Sequence, residues 1–366
     1  MRSYARIISA KLHWLWPVVV FGLVWWGMQY SAPLYHQPIA RITAVQTTSV
    51  ERPVDNFNNH DRLVHQRLQA VLLNTEKRHQ QLVLRNTYSQ SGAEDAPLGV
   101  GAQVFLATNA AGHYTITNIK RDAIVAALGA ATLVLLAQIL TKRFWLTMAS
   151  IIANAVVFAA AVRGELLSHG VHAFALFAAV TVVFAVICTL FVVGFKPLAA
   201  VVAGGTILAT GLGVALGYAV FTVCGYQSLH LETVKYVTQA PELLFFVQII
   251  IGSLGAVLDE CSDIAVAILQ LESGAKARFQ AGMAIGRNVM GPLITVLFMI
   301  FIAETFAEAV LWLRNGNAIS TTVSWVMGLG FAQSLISAFG IVLAVPLTSG
   351  LAAAAAWWQD TRRRAA

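Results

Sequence analysis

The chain has 366 residues, of which 58% are hydrophobic and only 11% are charged, with a formal net charge of +7. A soluble domain carries about 25% charged residues, so the composition excludes an ordinary soluble protein and indicates an integral membrane protein. The basic residues cluster at the ends of apolar segments, as orientation signals do, which argues against nucleic acid as a partner. Cys188, Cys224 and Cys261 form no CxxC pair, so we expect no disulfide framework, no metal site and no cofactor.

Residues 1–32 are predicted to form an uncleaved membrane anchor helix. Their apolar part, roughly Leu15–Ser31, follows the basic segment 1–13 and has tryptophans near its ends. Tryptophan favours the headgroup level of a bilayer. Ser31-Ala32-Pro33 is a poor signal-peptidase site, so an anchor fits better than a cleaved signal peptide.

Residues 33–121 are polar and predict a separate domain made of strands. The predicted strands are Leu68–Leu72, Gln81–Leu84, Gly99–Leu106 and Tyr114–Thr117. The first two flank a polar turn and are expected to pair as a hairpin. Together the strands predict a small extracytoplasmic β-barrel-like domain, roughly Arg62–Ile119, in which nothing looks catalytic.

Residues 122–358 are predicted to form a seven-helix membrane domain, followed by a basic cytoplasmic tail, residues 359–366. The predicted spans are Asp122–Thr141, Phe144–Val162, His172–Phe195, Leu198–Thr222, Leu243–Leu269, Asn288–Leu313 and Val323–Trp358. With the N-terminal anchor, the fold class is a membrane all-α helical bundle of about eight transmembrane helices plus the β domain. The last span exceeds the roughly 20 residues that cross a bilayer. It must therefore tilt, kink at Pro346 or extend beyond the hydrocarbon.

The distribution of charge predicts that both termini are cytoplasmic. The cytoplasmic side then holds Lys142, Arg143, Lys196, Lys276, Arg278, Arg287 and Arg362–Arg364, whereas the short outer loops hold Arg163, Lys235 and Arg314. This asymmetry follows the positive-inside rule. It places the β domain outside and predicts a multi-pass membrane protein.

The sixth span carries the most unusual residues of the chain, namely Gly252, Gly255, Asp259, Glu260 and Asp263. An ionised carboxylate in hydrocarbon costs at least about 2.5–3.5 kcal/mol, so such residues mark functional sites. Asp259 and Asp263 are i, i+4 and share a helix face with both glycines, and we expect that face to point into the bundle. Glu260 points about 100° away and needs a different environment.

Two interpretations of this acidic stretch remain open. From Pro241, Asp259 lies about 27 Å along a straight helix, close to the cytoplasmic boundary. A functional site in mid-membrane therefore requires the helix to be broken or displaced, and the Gly252–Gly255 pair would permit a break. Alternatively the acids lie in the interface and pair with Lys276, Arg278 or Arg287, which the sequence places in or at the end of a cytoplasmic loop, Ser273–Arg287.

The seventh span repeats the pattern with Glu304 and Glu308, again i, i+4. They lie about 24–30 Å along the helix from Asn288 and do not continue its polar face. They mark either a second end of a path or a structural pair at the outer interface near Arg314. In the fifth span, Gly205, Gly213 and neighbouring glycines predict close helix packing.

Several stretches resemble the YibE/F-like family of bacterial polytopic membrane proteins. The main ones are Gly252–Asp259, Ser273-Gly274 and Gly286–Gly291. The resemblance implies a multi-pass protein of the bacterial cell membrane with an outer β domain, which forms a homo- or hetero-oligomer with a related membrane protein. Asp259 falls on the family's acid, whereas Glu260 and Asp263 depart from its pattern.

The sequence favours a permease or transporter for a small solute or ion, and proton coupling through Asp259 in the sixth span is one form of this hypothesis. The candidate pathway residues are Gly252, Gly255, Asp259, Glu260, Asp263, Arg287, Asn288, Glu304 and Glu308. The alternative is a non-catalytic scaffold or partner subunit that docks an envelope protein through the β domain. An intramembrane hydrolase is disfavoured because aspartyl chemistry needs two converging carboxylates, so we expect no enzyme activity.

Overall fold

The computed structural model describes residues 14–365 except 57, 93–94, 110–112, 169–172, 226–228, 234–240 and 272. The chain divides into two compact units, Met1–Phe144 and Trp145–Ala366. The basic N-terminal segment and Lys235, both used in the topology prediction, lie outside the described residues, as do the side chains of Lys142 and of Arg362–Arg364.

The first unit begins with helix α1, Trp16–Met28, followed by a single 3₁₀ turn, Ala32–Leu34. Pro17 in the first turn suits a helix start because its missing N–H needs no partner there. At 13 residues, α1 is about 20 Å long, shorter than the roughly 30 Å hydrocarbon core of a bilayer. It packs along helix α2, Asp122–Leu140.

An antiparallel sheet lies between these helices in the chain. Its strands are β1 Ile39–Glu51, β2 Leu63–Leu72, β3 Gln81–Ser89, β4 Gln103–Thr108 and β5 Tyr114–Ile119, in the order β3-β2-β1-β4-β5. The predicted hairpin is confirmed, with Leu68 opposite Leu84. The barrel is not formed, because the sheet is open and has β3 and β5 at its edges.

β1 pairs over different lengths with its two neighbours. Only Ile39–Arg41 pair with β4, whereas β2 follows β1 from Ala40 to Glu51. The sheet therefore consists of a long three-stranded ribbon joined to a short hairpin. β1 lies before Arg62, where the sequence predicted the domain to begin, and its buried Ala40 and Ile42 belong to the core of the sheet.

A cluster of charged and aromatic groups ties the sheet to the helices of the first unit. The Lys120 Nζ forms an ion pair with the Asp122 Oδ1 at 2.9 Å and donates to the Met28 carbonyl at 2.9 Å. It also lies 5.6 Å from the centre of the Tyr35 ring. The Tyr35 hydroxyl donates to the Asp122 carboxylate, and this bond raises the pKa of Tyr35. The two ends of the β domain, at Tyr35 and Lys120, therefore lie side by side.

The second unit is helical. Its helices are α3 Phe144–Ser168, α4 Ala173–Val193, α5 Pro197–Val223, α6 Pro241–Leu269, α7 Ala275–Arg314, α8 Ile319–Thr322 and α9 Gly328–Ala365, with a π-helical turn, Val323–Met327, between the last two. In the described part of the chain, seven helices, α2 included, are long and apolar enough to cross a membrane. These helices are those expected of a membrane protein, and α1 is a shorter apolar helix.

The core of the second unit lies where α5, α6 and α9 meet. A Cβ atom at Gly213 would come within 3.0 Å of the Gly340 backbone, and one at Gly205 would overlap Thr348. These contacts confirm the predicted packing role of the glycines, since only glycine lets the helices approach this closely. Gly211 is different, because a Cβ there meets nothing within 4 Å.

The last two long helices differ in how they agree with the prediction. The proposed loop Ser273–Arg287 is helical from Ala275, so α7 begins about three and a half turns before the predicted start at Asn288. The segment lacks proline, and Gly282 and Gly286 serve close packing against α9 rather than breaking the helix. α9 continues through Pro346 for 38 residues, about 57 Å, so it extends beyond the hydrocarbon.

Candidate functional site

Helix α6 directs Asp259 and Asp263 to one side and Glu260 to another. It is continuous from Pro241 to Leu269, with no break at Gly252–Gly255. The break that would have moved the acids toward mid-membrane is therefore absent. The surroundings of each acid are set by the face of the helix on which it lies.

Glu260 lies inside the bundle. Only 1% of its surface is exposed, and neither carboxylate oxygen has a hydrogen-bond partner among the described residues. One turn away, Val257 would contact a Cβ on Gly340 of α9, and two turns away Ile268 lies against Gly282 of α7. Glu260 therefore faces the core shared by α6, α7 and α9.

The surroundings of Glu260 are apolar. Val257, Cys261 and Ile264 belong to the largest buried hydrophobic cluster and are fully enclosed. An isolated ionised carboxylate in such a place is very costly, and an unpaired buried polar group alone costs about 1–3 kcal/mol. The carboxyl group therefore has to be neutralised by a proton or by a bound cation.

A second unpaired polar atom lies in the same core. Ser349 of α9 is fully buried, lies against Gly282, and its Oγ has no partner among the described residues. Gly282 lies against Ile268 of α6. Ile268 is eight residues after Glu260, about 12 Å further along the helix. Nearer the α6–α7 turn, Arg278 is buried and its Nε donates to the Leu271 carbonyl at 3.0 Å.

Asp259 and Asp263 lie on the opposite side of α6 from this core. They share a face with Gly252 and Gly255, as predicted, but all four residues are exposed. The prediction that this face points into the bundle is wrong. The apolar residues of α6 occupy the directions toward α5, α7 and α9, and the polar stripe is left outside except at Gly252, where a Cβ would lie 3.4 Å from the Gln333 side chain of α9.

The predicted cation partners do not meet these acids. Arg287, Asn288 and Lys276 are exposed on α7. Asp259, Glu260 and Asp263 make no ion pair with any cation in the described ranges. The interface interpretation, which required such pairs, therefore has no support in the geometry.

Glu304 and Glu308 are exposed near the C-terminal end of α7. Glu304 lies about 33 Å along α7 from Gly282. Glu260 lies only about 12 Å along α6 from Ile268, the residue that contacts Gly282. The two acidic sets are thus well separated in depth. The structure does not bring them into one site.

No metal centre accompanies these acids in the described part of the chain. No group of three or more His, Cys, Asp or Glu side chains in that part is placed to hold a metal ion. Cys261, next to Glu260, accepts a hydrogen bond from the Thr348 hydroxyl at 3.1 Å and packs in the hydrophobic core.

The sequence motifs around α6 and α7 point to a known family. The family model described as YibE/F-like protein matches residues 106–357, and the YibE/F family N-terminal domain matches residues 33–121. The chain belongs to the YibE/F-like family. No curated protein and no solved structure matches it.

In this YibE/F-like chain, the acid that the sequence analysis ranked first and the acid that the bundle encloses are different residues. Asp259 is exposed, whereas the neighbouring Glu260 is buried. Sequence reasoning included Glu260 but ranked it below Asp259. The signal was present, since Glu260 shares a helix face with Val257 and Ile264 rather than with the glycines.

Proposed function

We propose that this chain is a membrane permease for a small solute or ion, in which Glu260 binds the coupled proton or cation. The unpaired, enclosed carboxyl group of Glu260 carries this proposal. Intramembrane acids that face a bundle interior mark ion pathways and proton relays. Ser349 and the turn-side Arg278 add polar groups to the same core, between Glu260 and one end of the bundle.

Proteoliposomes test this proposal. Purified protein is reconstituted with a pH-sensitive dye inside the vesicles, and inward gradients of protons, sodium, potassium or magnesium are imposed in turn. We expect at least one gradient to change the internal pH faster than in protein-free vesicles. Glu260→Gln keeps the shape of the side chain but cannot ionise, so its rate should fall to that of protein-free vesicles. A wild-type rate equal to the protein-free rate, or a Glu260→Gln rate equal to wild type, contradicts the proposal.

We also propose that the exposed face of α6 meets a second membrane protein of the same kind. In a spanning helix this face would put two carboxylates into hydrocarbon, and Gly252 and Gly255 would let another helix approach closely. In a chain without its native cysteines, Gly255→Cys should form cross-linked dimers with a short bismaleimide in native membranes. Leu212→Cys on α5, which is 48% exposed, serves as control. Equal cross-linking at both positions, or none at Gly255→Cys, contradicts the proposal.

A second candidate function is docking of an envelope protein by the β domain. In the described part of the domain, the β4-facing edge of β1 has no ladder partner beyond Ile42, and residues 46–51 are exposed. An open edge of this kind can accept an added strand from another protein. We propose that the domain faces the outside of a bacterial cell membrane, with both termini in the cytoplasm.

Maleimide labelling tests the position of the β domain and the docking together. Val50→Cys at the free edge and Val100→Cys in a loop replace side chains that are 41% and 70% exposed. Both should react with a membrane-impermeant maleimide on intact cells if the domain is outside. If β1 accepts a partner strand, Val50→Cys should react more slowly on cells than in the purified protein, whereas Val100→Cys should not. Labelling only after permeabilisation contradicts the outside location, and equal rates at Val50→Cys contradict docking.

A further inference from the structure

A cavity of about 440 Å³ lies in the second unit between α4 and α5, with one wall from α6. Ligand sites for small molecules are usually about 300–1,000 Å³. Its walls are apolar and include Phe174, Val182, Ile207, Val214 and Ile250. None of the described residues that line it is charged, so this lining favours an uncharged ligand.

One hydroxyl group in the cavity wall has no partner. Thr210 is 3% exposed, and its Oγ1 makes no hydrogen bond among the described residues. The other buried threonines nearby bond to their own helices: Thr206 donates to the Val202 carbonyl at 2.8 Å, and Thr181 donates to the Phe177 carbonyl at 2.8 Å. Thr210 therefore differs from them in having a hydroxyl group that is free to bond to a ligand.

The cavity opens toward the outside of the helix bundle. Val182 and Tyr218 line it and are 40% and 51% exposed, and Gly211 and Ala215 beside them are exposed as well. In a spanning helix, the exposed side meets the hydrocarbon of the bilayer. A ligand can therefore enter sideways from the membrane without crossing the core around Glu260.

We propose that this cavity binds a lipophilic molecule taken from the bilayer, with an apolar body and one hydrogen-bonding group that meets Thr210. An apolar lining with a few polar groups that fix orientation is the usual form of a small-molecule site. A plain acyl chain would fill the space but leave Thr210 unpaired. The site goes beyond the proposed permease function, since Ile250 lies ten residues, about 15 Å along α6, from Glu260.

Photolabelling of the full-length protein in lipid nanodiscs tests this site. The probe is a medium-chain alcohol that carries a diazirine, and labelled residues are mapped by mass spectrometry. We expect labels on the walls that α4 and α5 contribute, and competition by the unlabelled alcohol but not by the alkane of equal length. Thr210→Val should weaken the competition by roughly threefold to tenfold, the effect of one lost hydrogen bond, and Thr210→Ser should restore it.

Two further variants separate the cavity from the surrounding lipid. Ala215→Trp fills the cavity and should abolish the labelling, whereas Ala219→Trp, exposed one turn further along α5, should not. Labels spread evenly over exposed α5 residues, competition by the alkane equal to that by the alcohol, or no effect of Thr210→Val would each overturn the proposal. Photolabelling measures binding and needs no transport. The cavity site can therefore be confirmed even if the proteoliposome assay contradicts the permease function.

Discussion

Replacing Glu260 by methionine should stabilise the folded protein by about 1–3 kcal/mol, the cost of an unpaired buried polar group. Methionine has a similar length and adapts well to irregular apolar surroundings. Val257, Cys261 and Ile264 already provide such surroundings on α6. The measurement is the midpoint of thermal unfolding of the purified protein in detergent, compared with wild type.

Glu242 on the same helix provides the matched control. It is exposed and lies in the first turn of α6, where an acid interacts favourably with the helix dipole by about 0.3–1 kcal/mol. Glu242→Met should therefore lower the midpoint slightly, opposite in sign to Glu260→Met. A clear loss of stability in Glu260→Met would mean that its carboxyl group holds the bundle together through a partner, and the enclosed acid would then be structural.

Replacing Asn74 by alanine should destabilise the β domain by about 2–4 kcal/mol, because several buried backbone groups lose their partner at about 1–3 kcal/mol each. The Asn74 Oδ1 accepts from the Ile39 N–H at 2.7 Å. Its Nδ2 lies 3.2 Å from the Ala32 carbonyl, 3.0 Å from that of Tyr35 and 2.8 Å from that of Gln37. One side chain thus anchors the whole entry into β1.

Hydrogen exchange of the full-length protein measures this effect. Amides at the start of β1 should exchange much faster in Asn74→Ala than in wild type, while those of α6 should not change. Gln80→Ala replaces an exposed residue in the same turn and should leave the exchange of β1 unaltered. Unchanged protection at Ile39 in Asn74→Ala would show that the network does not hold the strand.

The membrane helices could be predicted well because hydrophobicity sets their limits. Four of the predicted spans match helices to within two residues at both ends, namely those of α2, α4, α5 and α6. The start of α7 was missed because the basic, glycine-containing segment from Ala275 reads as a loop. Only the tertiary contacts of Gly282 and Gly286 with α9 show why it is helical.

The β domain was predicted less well. Its hairpin was recognised from two alternating runs around a polar turn. β1 was missed because most of it is exposed and polar, and only its first four residues contribute to the buried core. Whether five strands close into a barrel depends on whether the edge strands β3 and β5 pair, and no local pattern encodes a pairing between distant strands.

The candidate site was also predicted only in part. The sequence correctly separated Glu260 from the face shared by Asp259 and Asp263, since helical geometry alone fixes their relative directions. It could not tell which direction was inside. That depended on the apolar residues at Val257 and Ile264 and on the helices that cover them. Small and polar residues were assumed to face the bundle, whereas here they form its uncovered side.

The most direct test compares the enclosed acid with the exposed pair in the same proteoliposome assay. If Glu260 carries the coupled ion, Glu260→Gln should lose gradient-driven pH change, while Asp259→Asn with Asp263→Asn should retain most of it. Loss of activity in the Asp259 and Asp263 variant with full activity in Glu260→Gln would contradict this account and would place the pathway on the outer face of α6.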